Sequence, residues 1–213
     1  MIPLDTALTF FVSSVLLALA PGPDNVFVLL HSALHGRRAG LIVVAGLCSG
    51  LLFHTAAVAL GLAALLAASS TAFTALKLAG AAYLLWLAWG AWHAPASLPG
   101  QSDATQGADA LLSPGQTYLR GVVMNVSNPK VAIFFLAFLP QFADPARGQL
   151  PLQISILGGI FMVAAFLTFS TIAWFADSFG QKLRRSAPAQ RLLNRTASIV
   201  LAGLALRLAM AQK

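Results

Sequence analysis

Apolar residues fill six long stretches of the chain, and polar residues collect in the connections between them. A helix needs about 20 apolar residues to cross a bilayer, and each stretch reaches roughly that length. The pattern predicts membrane spans at roughly 7–34, 40–68, 72–93, 118–142, 150–176 and 193–211. The apolar runs are continuous rather than alternating, so they favour helices over a membrane β-barrel.

The longest polar stretch separates three predicted spans from three others. It is rich in Pro, Gly, Ser, Gln and Asp, a composition typical of a flexible linker without a core of its own. The predicted domains are a three-helix repeat at 1–93, the linker at 94–117 and a second three-helix repeat at 118–213. Because three is odd, the second repeat would be inverted relative to the first, as in many secondary transporters. The predicted fold class is an all-α integral membrane protein with two inverted repeats.

Both halves of the chain contain a proline motif inside a predicted span. The first span contains "APGPDN" and the fourth contains "NVSNPK". Proline removes a backbone hydrogen-bond donor and clashes with the preceding helical turn. The sequence therefore predicts a first span interrupted at Pro21–Pro23 and a fourth span interrupted at Asn128–Pro129. Pro23 and Pro129 would each be the first residue of a new half-helix.

The two motifs occupy matching positions in the two halves. Alignment of "GPDNVFVLL" with "NPKVAIFFL" places Asp24 opposite Lys130. Two half-helix starts near the midplane, at corresponding positions, indicate the binding site of a transporter. A charge at the centre of the membrane costs about 2.5–3.5 kcal/mol on insertion scales, so we expect these two charges to approach each other when no substrate is bound.

A site of this composition suits a zwitterion. The half-helix starts and Lys130 would attract a carboxylate, and Asp24 would bind an ammonium group or a proton. The predicted substrate-binding residues are Pro21, Gly22, Pro23, Asp24, Asn25, Asn125, Asn128, Pro129 and Lys130. Asp24 is the first candidate for proton coupling and His54, in the second span, is the other. Prolines also kink helices that bind nothing, and an Asp–Lys pair can simply lock two helices; the matching positions favour function.

Composition and charge support a membrane protein and argue against nucleic-acid binding. The chain is 58% hydrophobic and 9% charged, with a mean hydropathy of +0.80, whereas soluble domains are about 25% charged. The net charge of +7 comes partly from Arg37, Arg38 and a basic segment at 177–192, which lie in connections between spans. Basic connections face the cytoplasm, so the six-span pattern predicts both termini outside. The lipid bilayer is thus a predicted partner.

Three further patterns limit the alternatives. "ALA" at 18–20 resembles a signal-peptidase site, but no Lys or Arg precedes it, so we expect a retained span and no cleaved signal peptide. Four scattered His and one Cys do not form a metal site, and no cofactor is expected. The chain has no HExxH motif and no serine in a glycine-flanked elbow, so an enzyme is not expected.

Three stretches carry a resemblance to a known family: "APGPDNVFVLLHSALHGRRAGLIVVAGLCSG", "KLAGAAYLLWLAWGAW" and "GVVMNVSNPKVAIFFLAFLPQF". They resemble the LysE/RhtB family of bacterial amino-acid exporters over nearly the whole chain. The resemblance implies efflux of amino acids such as threonine, homoserine or lysine across the bacterial cytoplasmic (inner) membrane, driven by the proton gradient. The family's motifs fall on Pro21, Gly22, Pro23 and Asn25, and on Asn125, Asn128, Pro129 and Lys130.

The predicted function is a secondary transporter that exports a small amino acid by proton antiport. One acidic residue in the site favours a neutral substrate, such as threonine or homoserine, over lysine. The alternatives are an exporter of another small solute or a metal ion, and a non-transporting membrane assembly subunit. The sequence leaves a homo-oligomer open.

Overall fold

The computed structural model describes residues 2–68, 70–94 and 113–210, and these are almost entirely helical. The predicted linker lies mostly outside the described residues. The α-helices are α1 Leu4–Leu19, α2 Pro23–His35, α3 Arg37–Ala68, α4 Ser70–His93, α5 Pro114–Val126, α6 Pro129–Ile133, α7 Leu150–Arg185 and α8 Ala187–Met210. A π-helix at Phe134–Phe138 and a 3₁₀-helix at Leu139–Phe142 continue α6, and a second 3₁₀-helix covers Pro145–Arg147.

The predicted interruptions of the first and fourth spans are confirmed. α1 and α2 are separated by Ala20–Gly22 and are bent by 62° relative to each other. The pair formed by Pro114–Val126 and Pro129–Phe142 is bent by 49°. In each case the second half-helix begins at the proline, whose missing N–H has no role at a helix start.

Several helices are long and apolar enough to cross a membrane. Three qualify alone, at Arg37–Gly61, Leu150–Ala176 and Gln190–Met210, and each bent pair would add one span, which gives up to five in the described parts of the chain. The predicted third span corresponds to α4, which has 24 residues but is not among these five. The six-span count and the inverted order therefore stay predictions.

The basic segment at 177–192 lies mostly between the candidate spans Leu150–Ala176 and Gln190–Met210, and it is almost entirely helical. α7 continues to Arg185 and α8 begins at Ala187, so only Ser186 separates them. Basic residues indicate which face of the membrane a segment lies near. Lys, Arg, Gln and Leu also favour helix, so a helix can continue through such a segment. Similarly, α5 begins at Pro114, before the predicted start at 118, because Ser113 and Gln116 form a capping box there.

The helices pack in pairs that correspond between the two halves. α3 packs against α5, and α7 packs against α1; α3 and α7 also contact each other, as do α4 and α8. If each helix is replaced by its counterpart in the other half, the α3–α5 contact becomes the α7–α1 contact. The α3–α7 and α4–α8 contacts stay the same. The α3–α5 contact is close because Gly121 has no side chain: a Cβ there would lie 2.7 Å from the Val43 carbonyl oxygen.

Phenylalanine rings form a cluster around α1 and the segment that continues α6. The rings of Phe134 and Phe138 lie 4.7 Å apart, those of Phe138 and Phe142 5.1 Å, and those of Phe10 and Phe142 4.9 Å, between centroids. All four side chains are buried. At the end of this aromatic cluster, the Arg207 guanidinium lies 4.7 Å from the centroid of Phe142.

Candidate functional site

The first break leaves the end of α1 dependent on side chains from outside that helix. The last carbonyls of a helix have no partner within it. Asn25 Nδ2 donates to the Ala18 oxygen at 2.6 Å. Lys130 Nζ donates to the Ala20 oxygen at 2.9 Å and to the Leu17 oxygen at 3.4 Å. The end of α1 is thus held by one residue of α2 and one residue of α6.

Gly22 provides the space through which the lysine reaches α1. Its backbone is extended, with φ −172°, a conformation open to any residue, so the requirement is steric. A Cβ at this position would lie 2.9 Å from Lys130 Nζ and 3.4 Å from Lys130 Cε. Because Gly22 has no side chain, the Lys130 ammonium of α6 can reach the carbonyls at the end of α1.

The second break is capped by its own residues. α5 ends at Val126, and the Ser127 and Asn128 N–H groups still donate to the Val123 and Asn125 oxygens at 2.9 and 3.0 Å. Asn128 Oδ1 then accepts a hydrogen bond from the Lys130 N–H at 3.0 Å. Asn128 is therefore the N-cap of α6.

Asn125 connects the two breaks. Its Nδ2 donates to Asp24 Oδ2 at 3.4 Å, and the Asp24 side chain is 1% exposed. The backbone oxygen of Asn125 lies 3.2 Å from His54 Nε2, which places the buried His54 ring next to the same residue. The structure thus brings together Asp24, Asn125 and His54, from α2, α5 and α3.

Lys130 and Asp24 line the same small cavity, but their side chains do not bind each other directly. No ion pair joins their side chains among the residues that the structure describes, although both are buried. The ammonium binds the Leu17 and Ala20 carbonyls instead, while Asp24 accepts its hydrogen bond from Asn125. Carbonyls at a helix C-terminus carry partial negative charge, so they are an alternative partner for a cation. No sequence pattern marks these carbonyls, because every residue type has one.

Polar side-chain atoms without partners are concentrated at the breaks. In the described chain, five buried side-chain N or O atoms have no hydrogen-bond partner. Four belong to the predicted site, and the fifth is the Ser170 hydroxyl; the four are Asp24 Oδ1, Asn25 Oδ1, Asn125 Oδ1 and Asn128 Nδ2. Buried polar groups are nearly always paired in folded proteins. Three free acceptors and one free donor are therefore a chemical feature that a ligand with an ammonium group and a carboxylate would match.

A small internal cavity adjoins these atoms. Asp24, Asn125 and Lys130 line it, together with apolar side chains that include Leu51 and Phe161. Its volume is about 10 Å³ for the centre of a water-sized sphere, which is close to the minimum for one water molecule. The structure is therefore a closed conformation, and an amino acid would require the half-helices to separate.

The remaining predicted residues surround the site in different ways. Pro23 and Pro129 are exposed and only start their half-helices, and Pro21 is half-buried. Phe161 and Phe169 of α7 line the cavity and were not predicted, because a phenylalanine in an apolar span carries no signal that separates lining from packing. In the described residues, no three His, Cys, Asp or Glu side chains come together as metal ligands.

The fold and the site define a helical membrane protein whose buried polar site lies between two broken helices. The chain belongs to the LysE type translocator family, whose sequence profile it matches over residues 15–212. Members of this family are transporters, so the class expected from the resemblance is confirmed. No solved structure matches the chain.

Relatives with efflux functions extend over most of the chain. It is 36% identical over 169 residues to a homoserine/homoserine lactone efflux protein of Salmonella typhimurium, which covers 79% of each chain. It is 30% identical over 210 residues to a leucine efflux protein of Klebsiella pneumoniae, with 96% of this chain and 95% of the relative covered. An uncharacterized membrane protein of Vibrio cholerae is 36% identical over 151 residues, 71% of each chain.

Proposed function

We propose that the protein exports a small neutral amino acid across the bacterial cytoplasmic membrane by proton antiport. The observation that carries this proposal is the set of unpartnered polar atoms at the two breaks. The family and the named efflux relatives support amino-acid export as the class of transport. The proposed topology has six spans in two inverted repeats, with Arg37, Arg38 and the segment 177–192 on the cytoplasmic side.

The substrate's ammonium group would bind the acceptors that lack a donor. Asp24 Oδ1 supplies a negative charge, and the free oxygens of Asn25 and Asn125 supply two further acceptors. A hydrogen bond with a charged partner contributes about 1.5–3 kcal/mol, so this half of the site favours an ammonium over a neutral group. With one carboxylate at the breaks, a second cationic group such as that of lysine would lack a partner.

The substrate's carboxylate would bind where positive groups meet. The N-terminus of α2 carries partial positive charge, Asn128 Nδ2 is a free donor, and Lys130 carries a full charge. Each end of the substrate would therefore contact groups from both halves of the chain. A substrate that contacts both breaks would have different contacts in each conformation, which is the requirement for a ligand to shift a conformational equilibrium.

Proton coupling would act through the group that binds the ammonium. A proton on Asp24 cancels its charge and weakens its hold on the substrate, so protonation from the outer side would favour release. His54 is the other candidate, because its Nε2 lies 3.2 Å from the Asn125 carbonyl oxygen and Asn125 in turn binds Asp24.

Transport into and out of vesicles tests this proposal. Purified protein in proteoliposomes, with an imposed pH gradient, would be assayed with threonine, homoserine, leucine and lysine. We expect a response to one or more neutral amino acids that exceeds the response to lysine. Asp24→Asn should abolish the dependence on the pH gradient, and Asp5→Asn, at an exposed aspartate of α1, is the matched control.

The outcomes separate the possibilities. No transport of any amino acid by wild-type protein would contradict the proposed function. Normal rate and normal pH dependence in Asp24→Asn would show that the aspartate is structural, and His54→Gln would then be the next variant to test for coupling.

A further inference from the structure

The Lys130 ammonium occupies a carbonyl site at the C-terminal end of a broken helix. Its side chain is 5% exposed, and its hydrogen bonds go to the Ala20 and Leu17 backbone oxygens. Both acceptors lie at the end of α1, where the helix dipole is negative. In secondary transporters with broken helices, unwound carbonyls and half-helix C-termini are the places where coupling cations bind.

Two observations indicate that this is a built site for a cation. Gly22 leaves open the space that the ammonium occupies, since a Cβ there would lie 2.9 Å from Nζ. The ammonium also binds these neutral carbonyls even though the buried Asp24 carboxylate belongs to the same cavity and has an unpartnered oxygen. The end of α1 thus provides its own partners for a positive charge.

We propose that the Lys130 ammonium is a tethered cation that fills a monovalent-cation site at the end of α1 and ties that half-helix to α6. The site selects a primary ammonium, because such a group can donate to both the Ala20 and Leu17 oxygens. The protein therefore holds this break closed without a free ion. If the lysine is removed without filling the space, the site should accept a small ammonium ion from solution.

The inference concerns the end of α1 and needs no amino-acid substrate. One further link does rest on the proposed function: a substrate carboxylate at Lys130 would compete with the Leu17 and Ala20 carbonyls and so release the end of α1. Failure of the transport assay would leave the cation site standing, and failure of the cation test would leave amino-acid export standing.

The test is chemical rescue of Lys130→Ala, measured as thermal stability of the full-length protein in detergent. The probe is methylammonium chloride, compared with tetramethylammonium chloride at equal ionic strength. Tetramethylammonium has the charge but no N–H donor. The pH is held constant, because Asp24 on α2 and His54 on α3 are titratable groups that adjoin the site.

Methylammonium should raise the Tm of Lys130→Ala by about 2–4 °C, a shift that corresponds to a modest binding free energy in a chain of this size. Tetramethylammonium should give no such shift. Wild-type protein and Lys130→Met should respond to neither salt, since a lysine or a methionine side chain already fills the space. Equal responses of Lys130→Ala and Lys130→Met to methylammonium, or no response of a folded Lys130→Ala, would overturn the proposal.

A second measurement keeps the proposal testable if Lys130→Ala does not fold. Gly22→Ala places a Cβ 2.9 Å from the ammonium in wild-type protein, whereas Lys130→Met has no Nζ and ends at the atom that replaces Cε, 3.4 Å away; the backbone conformation is allowed for alanine. Gly22→Ala should therefore lower the Tm more in wild type than in Lys130→Met, a non-additivity expected of groups in contact. Gly90→Ala, whose Cβ would contact nothing within 4 Å, is the control. Equal losses in both backgrounds would contradict the contact on which the inference rests.

Discussion

The two helix breaks are made of similar residues but are stabilised in different ways. At the second break, the Asn128 side chain caps the next half-helix and the backbone turn stays hydrogen-bonded. At the first break, α2 has no side-chain cap, and the carbonyls at the end of α1 depend on Asn25 and on Lys130 from the other half of the chain. Both breaks keep backbone hydrogen bonds, since the Ala20 N–H also donates to the Leu16 and Leu17 oxygens. The difference lies in the caps: Asn128 caps α6 from within its own break, whereas a side chain from the other half of the chain binds the last carbonyls of α1.

This difference indicates which break can change with the state of the site. A cap made by adjacent residues survives a rotation of its helix, because cap and helix move together. A cap supplied by another half-helix is lost when the two separate. The contacts of Lys130 with the end of α1 therefore depend on whether the site is closed, whereas the Asn128 cap of α6 does not.

The largest expected effect follows removal of the shared cation. Lys130→Met should lower the free energy of unfolding by about 2 kcal/mol, because two carbonyls lose a charged donor while the cost of burying the charge is also removed. Transport should be lost. Chemical denaturation in detergent measures the first quantity and vesicle uptake the second. Lys77→Met, at a partly exposed lysine of α4, is the matched control; an equal loss in both variants would remove the special role of Lys130.

A smaller effect is expected from the other contact at the end of α1. Asn25→Ala removes the hydrogen bond from Nδ2 to the Ala18 oxygen and should cost about 1–1.5 kcal/mol of stability. Asn25→Asp has nearly the same shape but no donor, so it should not restore stability. Thermal melts of both variants measure this, and a wild-type Tm in Asn25→Asp would mean that the contact contributes nothing.

At the second break, unlike the first, a conservative substitution should restore most of the lost stability. Asn128→Ala removes an N-cap and should cost about 1 kcal/mol. Asn128→Ser retains an oxygen that accepts from the Lys130 N–H, so it should recover most of that loss. The same melts compare the two variants. If Asn128→Ser were as unstable as Asn128→Ala, the second break would not be capped locally and the contrast with Asn25 would fail.

The smallest effect serves as the baseline for the others. Gly90→Ala lies in α4, away from both breaks, and its added Cβ meets open space. Alanine in place of glycine inside a helix should stabilise the protein by about 0.5–1 kcal/mol. The transport rate should stay at the wild-type value. A changed transport rate in this variant would mean that transport responds to stability in general, so losses at the breaks could not be assigned to the site.

The sequence predicted those parts of the site that depend on neighbouring residues. Proline restricts its own backbone and the turn before it, so Pro23 and Pro129 located both half-helix starts. The Asn128 cap is likewise a local pattern. The partner of Lys130 was missed because it is a pair of backbone carbonyls, which no residue type marks. The segment 177–192 lies mostly between the candidate spans Leu150–Ala176 and Gln190–Met210, but its helical structure was not predicted, because basic residues indicate sidedness and not secondary structure.

The phenylalanine cluster beside α6 bears on how a transporter keeps an ion gradient from leaking. Phe10, Phe134, Phe138 and Phe142 are all buried, and their rings lie edge to face or tilted against one another. Aromatic carbon gives a chain of water molecules nothing to bind, and hydrophobic constrictions exclude water for that reason. Without a continuous chain of water molecules, protons have no path past these rings while the site is closed. Under the proposed proton antiport, the rings would act as electrical insulation that keeps protons from crossing when no substrate is exported.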